Sequence, residues 1–116
     1  MAYLPNAEFA FVPMEKLAGY VLNTEHSVGK HKAAVFEAVL GITMAEADYL
    51  RDKIIEAALT QEATPTRQDE FGQRYQVDFE IERNGRNATN VTAWILEPNE
   101  LSPRLTSCYI KYTKRL

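Results

Sequence analysis

A chain of 116 residues fits one domain, and we read residues 1–116 as that domain, helical over about 13–61 and sheet over about 62–113. Hydrophobic residues make up 46% and charged residues 25%, ordinary globular values that exclude intrinsic disorder as a class. A net charge of -3 argues against a protein held on nucleic acid by overall charge, but it leaves room for a local basic patch.

The opening "MAYLPNAEFAFVP" lacks the basic start and long apolar run of a signal peptide, and no segment has the length of a bilayer span. With one cysteine, Cys108, no internal disulfide can form, which suits a reducing compartment; the cytoplasm is the expected location. Pro13 then suits the start of a short amphipathic helix, "MEKLAGYVL", with Met14, Leu17, Ala18 and Val21 on one face. "NTEHS" reads as a connecting loop. In "KHKAAVFEAVLG", Val35, Phe36, Val39 and Leu40 recur at helical spacing until Gly41 stops the helix. Thr43 and Glu46 have the spacing of a capping box for a third helix, whose buried stripe is Ala47, Leu50, Ile54 and Ala58, widened by Ile55 and Leu59; it should fade near Thr60 or Gln61.

Beyond residue 62 the period changes from helical to alternating. "EATPTRQDEF" is a weak strand that Pro65 demotes to an edge, with Phe71-Gly72 turning it into the next. In "YQVDFEIER", Tyr75, Val77, Phe79 and Ile81 alternate with Gln76, Asp78, Glu80 and Glu82, giving a strand with one buried and one acidic face. Asn84-Gly85 is a strong turn signal. "ATNVTAWILE" carries apolar groups on both faces, Val91, Ala93 and Ile95 on one and Trp94 and Leu96 on the other, and so should be central. Pro98-Asn99 breaks it, and "RLTSCYIKY" makes the last strand. Helices first and a meander second predict an α+β fold, with about three N-terminal helices packed on one face of a four-stranded antiparallel sheet. The order excludes a doubly wound nucleotide fold, and no Gly-rich phosphate loop is present.

Two blocks, "LPNAEFAFVPMEKLAGYVLNTEHSVGKHKAAVFEAVLG" and "VTAWILEPNELSPRLTSCY", resemble a bacterial family known as a domain of unknown function, number 6883. The matching positions are Leu4 to Ala7, Lys16 and Leu17, His26 and Gly29, Lys32, Ala33 and Phe36, Thr92 and Trp94, and Pro103 to Leu105. The chain departs from the pattern at Val91 to Ile95, where members read closer to Val-X-Thr-Val-Trp, and after Cys108, where many end in Ala-Tyr-Pro. The resemblance brings no established function. It implies kinship with modules of bacterial toxin systems, many of which are ribonucleases built of helices followed by a four-stranded antiparallel sheet.

Metal-independent RNA cleavage needs a base near neutral pKa, an acid for the leaving oxygen and cations for the phosphate. His26 suits the acid or base, and Lys32 and Lys30 suit the phosphate if the helix start near Gly29 points at it. From the far end of the chain, Arg104, Thr106 and Tyr109 offer a guanidinium, a hydroxyl and a stacking ring. On this reading His26, Lys32, Arg104 and Thr106 are catalytic, and Lys30 and Tyr109 bind substrate. The same loop reads more readily as a solvated helix start, although lysines there are slightly unfavourable to the helix dipole. Trp94 is a core anchor and Cys108 a buried small hydrophobe. The acidic row of β-strand carboxylates does not converge, so no metal and no cofactor is expected. The sequons at Asn87 and Asn90 read as coincidence in a cytoplasmic chain.

These readings order three functions. A non-catalytic module that docks a protein partner or a second copy comes first. A ribonuclease-like domain acting on RNA comes second, and a nucleic-acid binder without chemistry comes last, weakened most by the acidic total charge.

Overall fold

The alternation of Tyr75, Val77, Phe79 and Ile81 dictates a half-buried strand, and the computed structural model, which describes residues 2–111, lengthens that strand at its N-terminal end. Strands β1 (Ala63–Asp69), β2 (Gly72–Arg83), β3 (Arg86–Leu96) and β4 (Arg104–Lys111) form one antiparallel sheet in the order β1-β2-β3-β4. Asn84 and Gly85 both take positive φ, 56° and 77°, so their turn joins β2 and β3 in register from Arg83↔Arg86 to Gln73↔Leu96. β3 is internal, as its two apolar faces require, while β1 and β4 are the edges. The last residues read as sheet, Tyr112 and Thr113, lie outside the described residues.

Three helices precede the sheet. Helix α1 (Met14–Lys16) runs directly into a π-turn (Leu17–Val21), where sequence periodicity predicts one α-helix. The reason is Leu22, whose N–H reaches five residues back to the Leu17 carbonyl at 2.8 Å. Widening the turn by one residue brings Leu17, Val21 and Leu22 all into the core.

Helix α2 (Lys30–Leu40) buries Ala33, Phe36 and Leu40. Gly41, at φ 67°, ends it, with its N–H on the Glu37 carbonyl and that of Ile42 on Phe36. The β2–β3 hairpin completes this cap: Arg83 donates to the Gly41 carbonyl at 3.0 Å and Arg86 to Ala38 at 3.1 Å, two cations on the negative end of the helix.

Helix α3 (Ala47–Thr60) enters through a 3₁₀ turn (Met44–Glu46) closed by the expected capping box. The Glu46 carboxylate accepts from the Thr43 N–H at 2.8 Å, which holds its pKa below the usual glutamate value. Ala47, Leu50, Ile54 and Ala58 are buried as read, but Leu59 is 52% exposed and Ala57 takes its place. At ~100° per residue, a position nine beyond Leu50 has turned to the opposite side of the helix.

The helices lie on the sheet face carried by Val77, Phe79 and Ile81 of β2 and by Asn90, Thr92 and Trp94 of β3. Trp94 is fully enclosed. Its indole N–H donates to Thr92 Oγ1 at 2.8 Å, and the Thr92 hydroxyl donates to the Val77 carbonyl at 2.7 Å. Every polar atom that these two side chains carry into the core is thereby used. A bulge between Ala93 and Trp94 shifts the register with β4, and Leu105, Cys108 and Ile110 then face the same core.

The N-terminal segment spans both edges of the sheet. Ala63 donates to the Ala2 carbonyl and Tyr3 bridges to Glu62 beside β1. At the other edge Phe11 pairs in parallel with the start of β4, donating to the Pro103 carbonyl at 2.8 Å and accepting from Leu105 at 2.9 Å. Leu4 and Val12 are buried beneath this strap.

Asn90 departs from this economy. It lies between Phe79 and Ile110, fully buried, and neither atom of its amide has a hydrogen-bond partner in the protein. That burial also removes it as a glycosylation acceptor. Each unpartnered buried polar group costs about 1–3 kcal/mol. Asn90→Leu, which nearly keeps the volume, should therefore raise the urea midpoint, a gain of about 1–2 kcal/mol in unfolding free energy after some loss to shape mismatch. A lowered midpoint would show that the amide is held by a hydrogen bond.

Candidate functional site

The loop Asn23–Gly29 is built around its own side chains. Asn23 Oδ1 accepts the Glu25 N–H at 2.9 Å. His26 Nδ1 accepts two backbone N–H groups, those of Val28 and Gly29, each at 3.0 Å, while its carbonyl accepts from Lys30. An Nδ1 that accepts carries no proton, so this geometry puts the ring proton on Nε2. The free N–H groups ahead of α2 that would otherwise face an anion are in part taken by this imidazole.

Tyr20, presented by the π-turn, ties the loop to the helix. The His26 ring meets it edge-on, with centroids 4.9 Å apart at 72°, and the Lys32 ammonium sits 5.5 Å from its centroid. Gly29 lies hard against the same residue: a Cβ there would come within 2.1 Å of the Tyr20 carbonyl oxygen. Only glycine allows that approach.

Between α2 and the β4 edge lies a groove of about 380 Å³, lined by His31, Lys32, Val35, Tyr109 and Ile110. Its base is apolar and its rim cationic. Cys108 is buried next to Ile110, and burial pushes its thiol up to about 12, with the Lys32 charge pulling the other way. Such a thiol is inert as a nucleophile.

The structure thus gathers part of the expected set. His26 and Lys32 share the ring of Tyr20, and Lys32 shares the groove with Tyr109; Lys30 is exposed at the helix start. Arg104 stands apart. It pairs with Glu97 at 2.7 Å in a hollow that also includes Phe9, Phe11 and Glu100, five positions from Tyr109, or roughly 16 Å along the strand at ~3.3 Å per residue. Thr106 donates its hydroxyl to the Ala93 carbonyl at 3.2 Å, within the bulged pairing of β3 and β4. Tyr20 itself escaped sequence reading because it lies off the apolar stripe. Nothing but the π-turn, which periodicity does not reveal, brings it between His26 and Lys32. Among the described residues no group of three or more His, Cys, Asp or Glu side chains is placed to hold a metal ion.

The architecture is an α+β fold, helices followed by a four-stranded antiparallel meander, with a cation-rimmed groove at one sheet edge. The model of a family described as a domain of unknown function (DUF6883) matches residues 3–112, and the chain belongs to that family. No curated protein matches it. The strap that begins with Leu4 to Ala7 reaches the segment before β4: Asn6 donates to the Leu101 carbonyl at 3.1 Å, and Pro103 and Leu105 receive Phe11 from the same strap.

Two predictions separate structural from chemical roles here. His26→Ala should lower stability by about 1 kcal/mol, the usual net worth of a lost hydrogen bond, and His26→Asn should recover most of it. Urea denaturation of the three proteins checks this, and an asparagine as harmful as alanine would refute the loop-holding role. Cys108 should ignore a chromogenic disulfide reagent at neutral pH and react stoichiometrically in denaturant. Rapid reaction of the folded protein would contradict its burial.

Proposed function

We propose that the protein is a non-catalytic interaction module that receives an extended segment of a partner protein along the edge of β4. One observation carries the reading: among the described residues no strand other than β3 pairs with β4 beyond Leu105, so its outer edge is open there, although its start already holds Phe11 as a parallel neighbour. The chain's own strap demonstrates the docking mode that the remaining edge can repeat. Unpaired edge amides and carbonyls supply the main-chain bonds of such an addition, and a neighbouring groove supplies a seat for alternate side chains.

The setting belongs to the same proposal. A family of bacterial toxin-system modules, acting in the cytoplasm as one folded domain, is consistent with the motif resemblance and with one cysteine kept reduced. No helix among the described residues is long and apolar enough to cross a membrane.

A second reading, the metal-independent ribonuclease, has one observation in its favour: His26 and Lys32 converge on Tyr20. It ranks lower because the Nδ1 of His26 is occupied by two backbone donors, and Arg104 is paired elsewhere.

Peptides selected from a random library on the purified protein test the first reading. Binders should slow amide hydrogen exchange over residues 107–111 and lose at least about tenfold in affinity with Val35→Asp. A library whose binders all protect other segments would end the proposal. RNA cleavage in EDTA, abolished in a still-folded Lys32→Ala protein, would install the ribonuclease instead.

A further inference from the structure

Resting on the interaction reading, we infer that the segment received by β4 is acidic, an extended strand of a protein partner with carboxylates at alternate positions facing α2. The groove beside the open edge has no carboxylate in its lining. Lys32 and His31 stand on its helix side, and Lys30 is one position before them. This cluster is local in a chain of net charge -3, whose sheet carboxylates Asp78, Glu80 and Glu82 sit on β2, two strands away from β4 and on the face turned from the helices. Charge is segregated on the fold, and the positive part borders the outer edge of β4, where no strand pairs among the described residues.

An added strand has a side-chain period of two, so every second residue would face α2 and the others would face outward. Those facing α2 pass over Val35 and Ile110 and end beside Lys32 and His31. That is an apolar base and a cationic rim, suited to a carboxylate on a short aliphatic stem. A second copy of this chain is disfavoured by the same charges, because joining two β4 edges brings the His31 and Lys32 rim of one molecule towards that of the other. RNA could use the cations, but it cannot complete the hydrogen bonds of a sheet edge, and Tyr109 is the one Phe, Tyr or Trp ring in the groove's lining.

Fluorescence anisotropy with three labelled probes decides the matter: an alternating valine–glutamate peptide, an alternating valine–lysine peptide and an oligouridylate. At low salt the glutamate peptide should bind at least about tenfold more tightly than the lysine peptide, with the gap narrowing as salt rises. Lys32→Glu should reverse the preference, and His31→Glu, at an exposed position of the same groove that no core contact depends on, should shift it the same way if Lys32→Glu fails to fold. Equal binding of both peptides, with protection of residues 107–111, would overturn the acidic inference and leave the interaction reading standing. Binding of neither, or tighter binding of the oligouridylate, would overturn both.

Discussion

The enclosed chain of hydrogen bonds from Trp94 through Thr92 to the Val77 carbonyl is the constraint on which the architecture turns. A tryptophan indole can be buried only where its N–H finds a partner, and here the partner is a hydroxyl that must itself be discharged onto the neighbouring strand. Both conditions are met only if β2 and β3 keep the register that pairs Val77 with Thr92 and Tyr75 with Trp94. A slip by one residue would point the indole at the opposite face and leave the Val77 carbonyl without its side-chain donor. The helices then have one face to cover, and α2 and α3 cover it.

From that register the rest is placed. β3 becomes internal, β4 becomes an edge, and the bulge beside Trp94 lets Leu105 and Cys108 both face inward despite their odd spacing. The hairpin that fixes the register also delivers Arg83 and Arg86 to the C-terminal end of α2, so helix and sheet are joined by the turn that aligns the strands. With its far end anchored there, α2 lays its first turns alongside β4, and the groove with His31, Lys32 and Tyr109 is the gap that remains. The candidate site is a by-product of how the sheet is aligned.

Much of this was legible residue by residue. Alternation in β2, the Asn84-Gly85 turn, the Thr43 and Glu46 cap and the Gly41 stop each have one dominant local cause, and each appears where it was expected. The failures have causes too. Leu59 was assigned to a stripe by its chemistry, yet the helical angle carries it outward while the smaller Ala57 turns in. On β3 the helix-covered face carries Asn90 and Thr92 with Trp94, and a reading based on apolar residues does not assign polar ones to a core. The His26, Lys32, Arg104 and Thr106 set depended on tertiary placement, and strand length alone keeps Arg104 distant from the groove. The strap over residues 2–12 has no period at all. Its structure comes from distant edges that offer it unpaired backbone.

That strap has a bearing on how the molecule comes together. Its contacts close some of the longest loops in the chain, with Asn6 reaching a carbonyl 95 positions away. Neither end can settle until β1 and β4 flank a finished sheet, so residues made well before the sheet are among the last to find their places. Until then the start of β4 is as open as its end. The interval before the strap closes is when the edge is most exposed to any foreign strand, because both stretches of the same rail then stand open.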